Sequence, residues 1–230
     1  DGALIFKGSE HGSFDNVFVG SNGRGLYAAR DLGLMLLKNE QFHPDKSYIV
    51  TAEEQRDYFK GVIAAAGLVW PERKDVTVNI STGTVKLSTG KMSSRDGDVI
   101  EVAWLFDEFA QAIRERGGEA TDEIVAGALR YQFLRVKIGG DVVFNIDDAV
   151  SLTGNTGSYL QYAHARARSI LDKSNTSFVR PTVVKQEDRA LVRKLGEYHE
   201  IVTRATEQLE PHHICNYLFE LAQEFNRYYD

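Results

Sequence analysis

The texture of the sequence changes once, near residues 115–120, and that change restricts the folds open to it. Upstream, short runs rich in β-branched and aromatic residues alternate with stretches of helical period. "NVFV" (16–19) predicts a strand and "LYAARDLGLMLLKN" (26–39) a helix. "SYIV" (47–50) predicts a second strand, and "AEEQRDYFKGVIAAAG" (52–67) a helix ended by its last glycine. "VTVNI" (76–80) and "TVKLS" (84–88) follow as strands, with the turn signal "STG" (81–83) between them. Strands that alternate with helices call for helical cover on a parallel sheet, so this half is expected to be an α/β layer.

From about residue 101 the strand signals stop. Thr121 is a good N-cap with Asp122 and Glu123 in the first turn, opening a helix expected to reach about Lys137. After Gly139 and Gly140, residues 147–173 read as helix with a glycine-rich interruption at 153–157. Leu191, Leu195, Tyr198, Val202, Ala205 and Leu209 form one apolar stripe. Ile214, Leu218, Leu221, Phe225 and Tyr228 repeat the stepping after Pro211, a favourable first-turn proline. The second half is therefore expected to be all-α, a helical bundle.

Bulk properties bound the function. Of 230 residues, 43% are hydrophobic and 26% charged, as in a globular protein with a real core. No apolar run is long enough to span a bilayer. The single cysteine, Cys215, excludes an internal disulfide framework and a multi-cysteine metal site, which fits a reducing cytosol. A net charge of -6 speaks against nucleic acid only on average, because a polyanion responds to a local patch.

The loop "TGKMSSRDGDV" (89–99) puts a lysine, a methionine and two serines between glycines, just beyond a strand. A solvated turn would explain such a composition. The order of residues argues otherwise, since Lys-Met-Ser-Ser arises by chance in about one such chain in a thousand. Ligands of open α/β sheets bind beyond strand ends. There a lysine can meet charge that develops on a departing phosphate group, and serine hydroxyls and glycine-freed amides add donors. Losing one such donor costs about 3 kcal/mol.

"KMSSR" resembles the second ATP-binding motif of class I aminoacyl-tRNA synthetases. Other segments narrow the resemblance to the arginyl-tRNA synthetases: "LYAARDLGLMLLK", "YIVTAEEQRDYFK", "DDAVSLTGNTGSYLQYAHARARSIL" and "HHICNYLFELAQEFNRYYD". They occur in the family's order from residue 26 to the last residue, and "SLTGNTGSYLQYAHAR" is the most specific. The resemblance implies the second half of a Rossmann-type catalytic domain over residues 1–118 and an α-helical anticodon-binding domain over 119–230. It implies ATP with magnesium as substrate, and L-arginine and its tRNA as partners.

In that family the arginine pocket uses positions that here hold Tyr27, Asp31 and Gln55. Tyr27 and Asp31 are four apart and share a helix face. A carboxylate matches the fork of a guanidinium, and Gln55 can add an amide contact. On spacing alone, the readier role for Asp31 is an ion pair with Arg24 or Arg30. By the same resemblance Lys91 acts on the triphosphate, Met92 and Ser93 contribute to the ATP site, and Ser93 with Ser94 shapes the loop.

Several positions depart from the family pattern. Gly25 and Leu26 stand where proline and threonine are frequent, which loosens the turn but keeps Tyr27 in register. "TAEE" precedes Gln55 where glycine or histidine is common nearby, and Ser94 replaces a second lysine, leaving Lys91 as the main cation. The family's His-x-Gly-His motif does not occur, and "EHGS" (10–13) lacks the second histidine. The resemblance therefore implies a C-terminal fragment, itself truncated at its C-terminus and inactive alone. A free-standing module that binds tRNA or arginine without catalysis is the alternative. A cysteinyl ligase, whose helical domain is related, would want a zinc site that one cysteine does not supply.

In the helical half, Arg166, Arg168, Arg180, Lys185, Arg189, Arg193 and Lys194 could form a phosphate-binding face. Glu187, Asp188 and Glu197 are interleaved, so a surface of paired charges explains the spacing equally well. The resemblance assigns tRNA contact to Arg166, Arg168, Tyr159 and Tyr162. Aromatics at helical spacing are more often core, and that reading is preferred for Tyr159, Tyr162, Tyr217 and Tyr228 taken singly. His212 and His213 are adjacent with no third ligand nearby in sequence, so a capping role is expected and no metal site. Cys215 is expected to be a small buried hydrophobe. The expected molecule is a cytoplasmic monomer.

Overall fold

Residues 47–82 form the strand–helix–strand unit on which the first half is built. The computed structural model describes residues 2–88, 101–174 and 183–229. They gather into two compact units, Asp1–Thr84 with Ile138–Gly140, and Val85–Lys137 with Asp141–Asp230.

In the first unit, β1 (Leu4–Phe6) pairs antiparallel with β2 (Asn16–Val19), then α1 (Tyr27–Phe42) follows. β3 (Ser47–Ala52) is parallel to β4 (Thr77–Thr82), in register from Ser47–Thr77 to Ala52–Thr82. The crossover between them is α2 (Arg56–Val69), because parallel neighbours cannot be joined by a tight turn. Phe18, Ala28, Met35, Val62 and Ala65 make the core, with Phe6 edge-on to Phe18 at 6.1 Å. α2 runs past Gly67 to Val69, and the Trp70 N–H still reaches Ala66 O at 2.8 Å. Pro71, not the glycine, stops it, since a residue before proline is steered out of the helical region. The turn expected at 81–83 is shorter, because Ser81 and Thr82 belong to β4. Ser81 donates to Asn79 Oδ1 and Thr82 to Thr51 O.

The second unit begins with β5 (Val85–Leu87), followed by α3 (Val102–Glu115) and α4 (Asp122–Leu134). Thr121 caps α4, its Oγ1 accepting from the Ile124 N–H at 3.4 Å. The helix ends three residues before Lys137 at Leu134, where the Arg135 Nε donates back to Gln132 Oε1. β6 (Val142–Phe144) then pairs parallel with β5, so strands do not stop at residue 101. Three residues carry no detectable period, and only pairing with a distant segment makes them a strand.

α5 (Ile146–Ala149) is capped by Asn145, and α6 (Gly157–Lys173) by Thr156, whose Oγ1 accepts from the Tyr159 N–H at 3.0 Å. Gly157 lets α6 approach α4 closely: a Cβ there would lie 2.7 Å from the Ala128 Cα. The stripe expected from Leu191 to Leu209 is divided between α7 (Arg189–Gly196) and α8 (Tyr198–Gln208). Leu195 and Tyr198 are exposed at the break, while Ala205 is buried. Leu209, in the left-handed region at φ 57°, closes α8, and α9 (His212–Tyr229) starts just after Pro211.

The core of this unit joins Leu105, Phe109 and Ile113 of α3 to Val125 and Leu129 of α4 and to Phe144 of β6. Phe109 and Phe144 are fully buried and meet edge-on at 6.0 Å, each burial being worth about 1.5–3 kcal/mol. Residue 118, where a boundary is expected, falls between α3 and α4, both of which contribute to this core. No helix among the described residues is long and apolar enough to cross a membrane.

Candidate functional site

The start of α1 is fixed by the turn before it. Gly20 N–H donates to Arg24 O, Gly23 adopts φ +77°, and the Leu26 N–H reaches back to Phe18 O, each bond at 2.9 Å. These bonds close the turn, and Tyr27 follows as the first helical residue. Tyr27 is 79% exposed, with the Arg30 guanidinium 5.8 Å from its ring centroid. One turn later Asp31 is half-buried.

At Asp31 the ion pair that spacing alone favours is not observed. No lysine or arginine among the described residues forms an ion pair with it, so neither Arg24 nor Arg30 takes that role. Instead its Oδ2 accepts a hydrogen bond from the hydroxyl of Tyr58 on α2. Burial and this carboxylate both raise the Tyr58 pKa, so the phenol stays protonated and neutral. The result is a half-buried carboxylate with a neutral donor and no countercharge. Such a group favours a cation, and a planar guanidinium above all.

Gln55 is exposed at the N-terminal end of α2, and its side chain makes no hydrogen bond among the described residues. α1 and α2 pack on each other, which brings Tyr58 to Asp31. Lys91, Met92, Ser93 and Ser94 lie outside the described residues, between β5 and α3.

The second group of predicted residues meets a different fate. The Arg166 guanidinium stacks over Tyr229 at 4.0 Å from the ring centroid, and its Nη1 donates to Asn226 Oδ1 at 3.3 Å. Asn226 Nδ2 in turn donates to the Tyr159 hydroxyl at 2.9 Å, and the Tyr159 ring meets Phe219 edge-on. Arg166 and Tyr159 are thereby built into the contact between α6 and α9. Arg168 and Tyr162 are exposed, and among the described residues Arg168 has a loose ion-pair partner, Asp172 at 3.9 Å.

The basic run behaves unevenly. Lys194 bonds Glu197 at 2.7 Å and Glu220 at 2.9 Å, and those two bonds raise its pKa. Lys185 reaches Glu187 at 3.9 Å, whereas Arg189 and Arg193 are exposed and have no ion pair among the described residues. Arg180 lies outside the described residues.

Comparison with known proteins bears on both groups. The family described as the DALR anticodon binding domain matches residues 160–230. The arginine–tRNA ligase of Borrelia turicatae is 32% identical over 231 residues, covering 93% of this chain and 39% of the relative. That of Limosilactobacillus fermentum is 32% identical over 225 residues, covering 91% and 40%. The chain is a homologue of the arginine–tRNA ligases.

It spans about two fifths of the length of these relatives. Thermus thermophilus arginyl-tRNA synthetase superimposes with a TM-score of 0.84 at 24% identity, over all of this chain and 46% of that one. The Plasmodium falciparum arginyl-tRNA synthetase gives 0.82 at 18% identity, over 99% and 42%. The α/β part and the helical part are therefore those of arginyl-tRNA synthetase structures.

Two features of this homologue went unread in its sequence. Tyr58 and Asn226 are ordinary helix residues by pattern, and only packing reveals their partners. The statement that His212 and His213 lack a third ligand nearby is also corrected. Glu210 Oε2 lies 3.2 Å from His213 Nε2 and 3.9 Å from His212 Nε2, and the three groups could hold a metal ion. The cluster already has internal partners: His213 bonds Gln208 Oε1 at 2.8 Å, and Lys137 lies 3.5 Å from Glu210 Oε1. Burial, and then the neighbouring His213, lower the His212 pKa. Cys215 is buried as expected, which pushes its thiol up to about 11, and Tyr217 is core. Tyr162 and Tyr228 are exposed, not core.

Proposed function

We propose that this chain is part of an ATP-dependent arginine–tRNA ligase. Residues 1–118 supply the later part of its Rossmann-type catalytic domain, and 119–230 its anticodon-binding domain. The observation that carries this reading is Asp31: a half-buried carboxylate, bonded to a neutral phenol and without an ion-pair partner among the described residues. In the reaction, the arginine carboxylate attacks the α-phosphate of ATP and displaces pyrophosphate. The arginyl group then passes to the 3′ end of the tRNA.

Asp31 selects the guanidinium, Tyr27 flanks it and Gln55 adds an amide contact. A neutral competitor leaves the carboxylate unpaired, which costs about 1–3 kcal/mol or more. Lys91 stabilises the triphosphate as pyrophosphate departs, with Met92, Ser93 and Ser94 forming the loop around ATP, which arrives with magnesium. Arg168 and Tyr162 are the exposed tRNA contacts of α6. Arg166 and Tyr159 hold that helix in place behind them and offer an edge to the same surface. The protein acts as a cytoplasmic monomer.

The 230 residues alone are expected not to aminoacylate, since they carry Lys91 without a His-x-Gly-His motif. In the complete gene product, Lys91→Ala slows ATP–pyrophosphate exchange about a hundredfold or more. Asp31→Ala raises the KM for arginine by a similar factor. Unchanged kinetics in both variants would sink the assignment. A second reading, a non-catalytic module for tRNA or arginine, is favoured if the complete gene product binds either ligand yet supports no exchange.

A further inference from the structure

We propose that Tyr58 is a positioning residue for the arginine side chain, orienting the Asp31 carboxylate so that a guanidinium meets it in one geometry. This rests on the reading of Asp31 given above and adds a residue from a second helix, to which the resemblance assigned no role.

The Tyr58 ring is anchored independently of Asp31. It is half-buried and meets Phe59 edge-on, with centroids 5.1 Å apart and planes at 81°. Its hydroxyl donates to Asp31 Oδ2 across the contact between α1 and α2. A carboxylate offers about four lone-pair sites. The phenol takes one on Oδ2, leaving Oδ1 and the second site of Oδ2 for the two N–H groups of a guanidinium fork. The terminal torsion of an aspartate is broad and roughly two-fold, so without this donor the plane of the carboxylate is not set. A ligand would then have to order it on binding.

The choice of donor is informative. A lysine or arginine at this place would orient the carboxylate equally well but would also neutralise it and compete with the ligand. A phenol kept protonated by burial and by its acidic neighbour orients without neutralising. Positioning by a neutral group is what a cation-binding carboxylate requires.

The test uses the complete gene product and calorimetric titration with L-arginine and with L-citrulline, whose ureido group is a neutral counterpart of the guanidinium. Tyr58→Phe keeps the ring and removes only the donor. It is expected to weaken arginine binding about tenfold, with citrulline affinity unchanged and the thermal midpoint moved by less than about 2 °C. If citrulline binds too weakly to measure in either protein, a tenfold arginine loss at an unchanged midpoint supports the proposal. Equal losses for both ligands, or a fall in thermal stability that accompanies the loss, make Tyr58 a purely structural residue and overturn it. Unchanged arginine affinity in Tyr58→Phe, when Asp31→Asn abolishes binding, also overturns it while leaving the role of Asp31 intact. Arginine binding that is absent in the wild type, or survives in Asp31→Asn, overturns both.

Discussion

The Asp31 site and the α6–α9 contact treat a charged side chain in opposite ways. Arg166 is half-buried, lies over Tyr229 and bonds Asn226, so its charge has protein partners. Asp31 is half-buried too, yet among the described residues its one hydrogen-bond partner is the neutral hydroxyl of Tyr58. The guanidinium engaged by two side chains ties one helix to another, whereas the carboxylate, with a single donor among the described residues, keeps further lone-pair sites open to a ligand. The difference separates a group that holds helices together from one proposed to bind a ligand, even though the arginyl-tRNA synthetase resemblance implies both as site residues.

The largest effect should come from breaking the contrast at Asp31. Asp31→Ala is expected to weaken arginine binding about a hundredfold or more, while its urea midpoint stays at or slightly above that of the wild type. A large loss of stability in that variant would put Asp31 in the structural class with Arg166. Next in size is Asn226→Ala, which removes the shared partner of Arg166 and Tyr159. It should cost about 1–2 kcal/mol of unfolding free energy in urea titrations and leave arginine binding alone. An unchanged midpoint would mean that the stacked Arg166–Tyr229 pair suffices without the amide.

The smallest effect concerns acid sensitivity at the start of α9. The folded-state pKa of His212 is lowered, so between that value and its unfolded value the unfolded chain binds more protons. Stability from this group is present above the unfolded pKa of about 6.5 and is lost as pH falls through the window below it. His212→Gln should flatten the fall in urea midpoint between pH 7 and pH 5.5. An equally steep fall in the variant would assign the acid sensitivity to other groups.

Much of the helical architecture was legible because it is local. Thr121 and Pro211 mark helix starts that recur in the structure, and the order of motifs from Leu26 onward pointed to the arginyl-tRNA synthetases, one of which matches 93% of this chain at 32% identity. The reading failed where one residue sets the direction of the chain. Glu197 divides a stripe that looked continuous, and Leu209 turns left-handed at a position that the pattern treats as helix. Tyr159 shows a subtler limit. Both its core packing and its polar tip are real, and spacing could report only the first.

By itself the sequence determined most of the segments that are helical and the order in which the family-like motifs occur. These follow from short-range periodicity, capping and motif spacing, and each can be read within a few turns of chain. Only the tertiary structure decided that β6 joins β5 across more than fifty residues, that Asn226 links Arg166 to Tyr159, and that Tyr58 bonds Asp31. Each of those contacts joins residues from separate elements, and the side chains involved are chosen by packing geometry that no local pattern records. The charge of Asp31 was written in the sequence; that it meets a neutral phenol and no ion-pair partner among the described residues was a consequence of the fold.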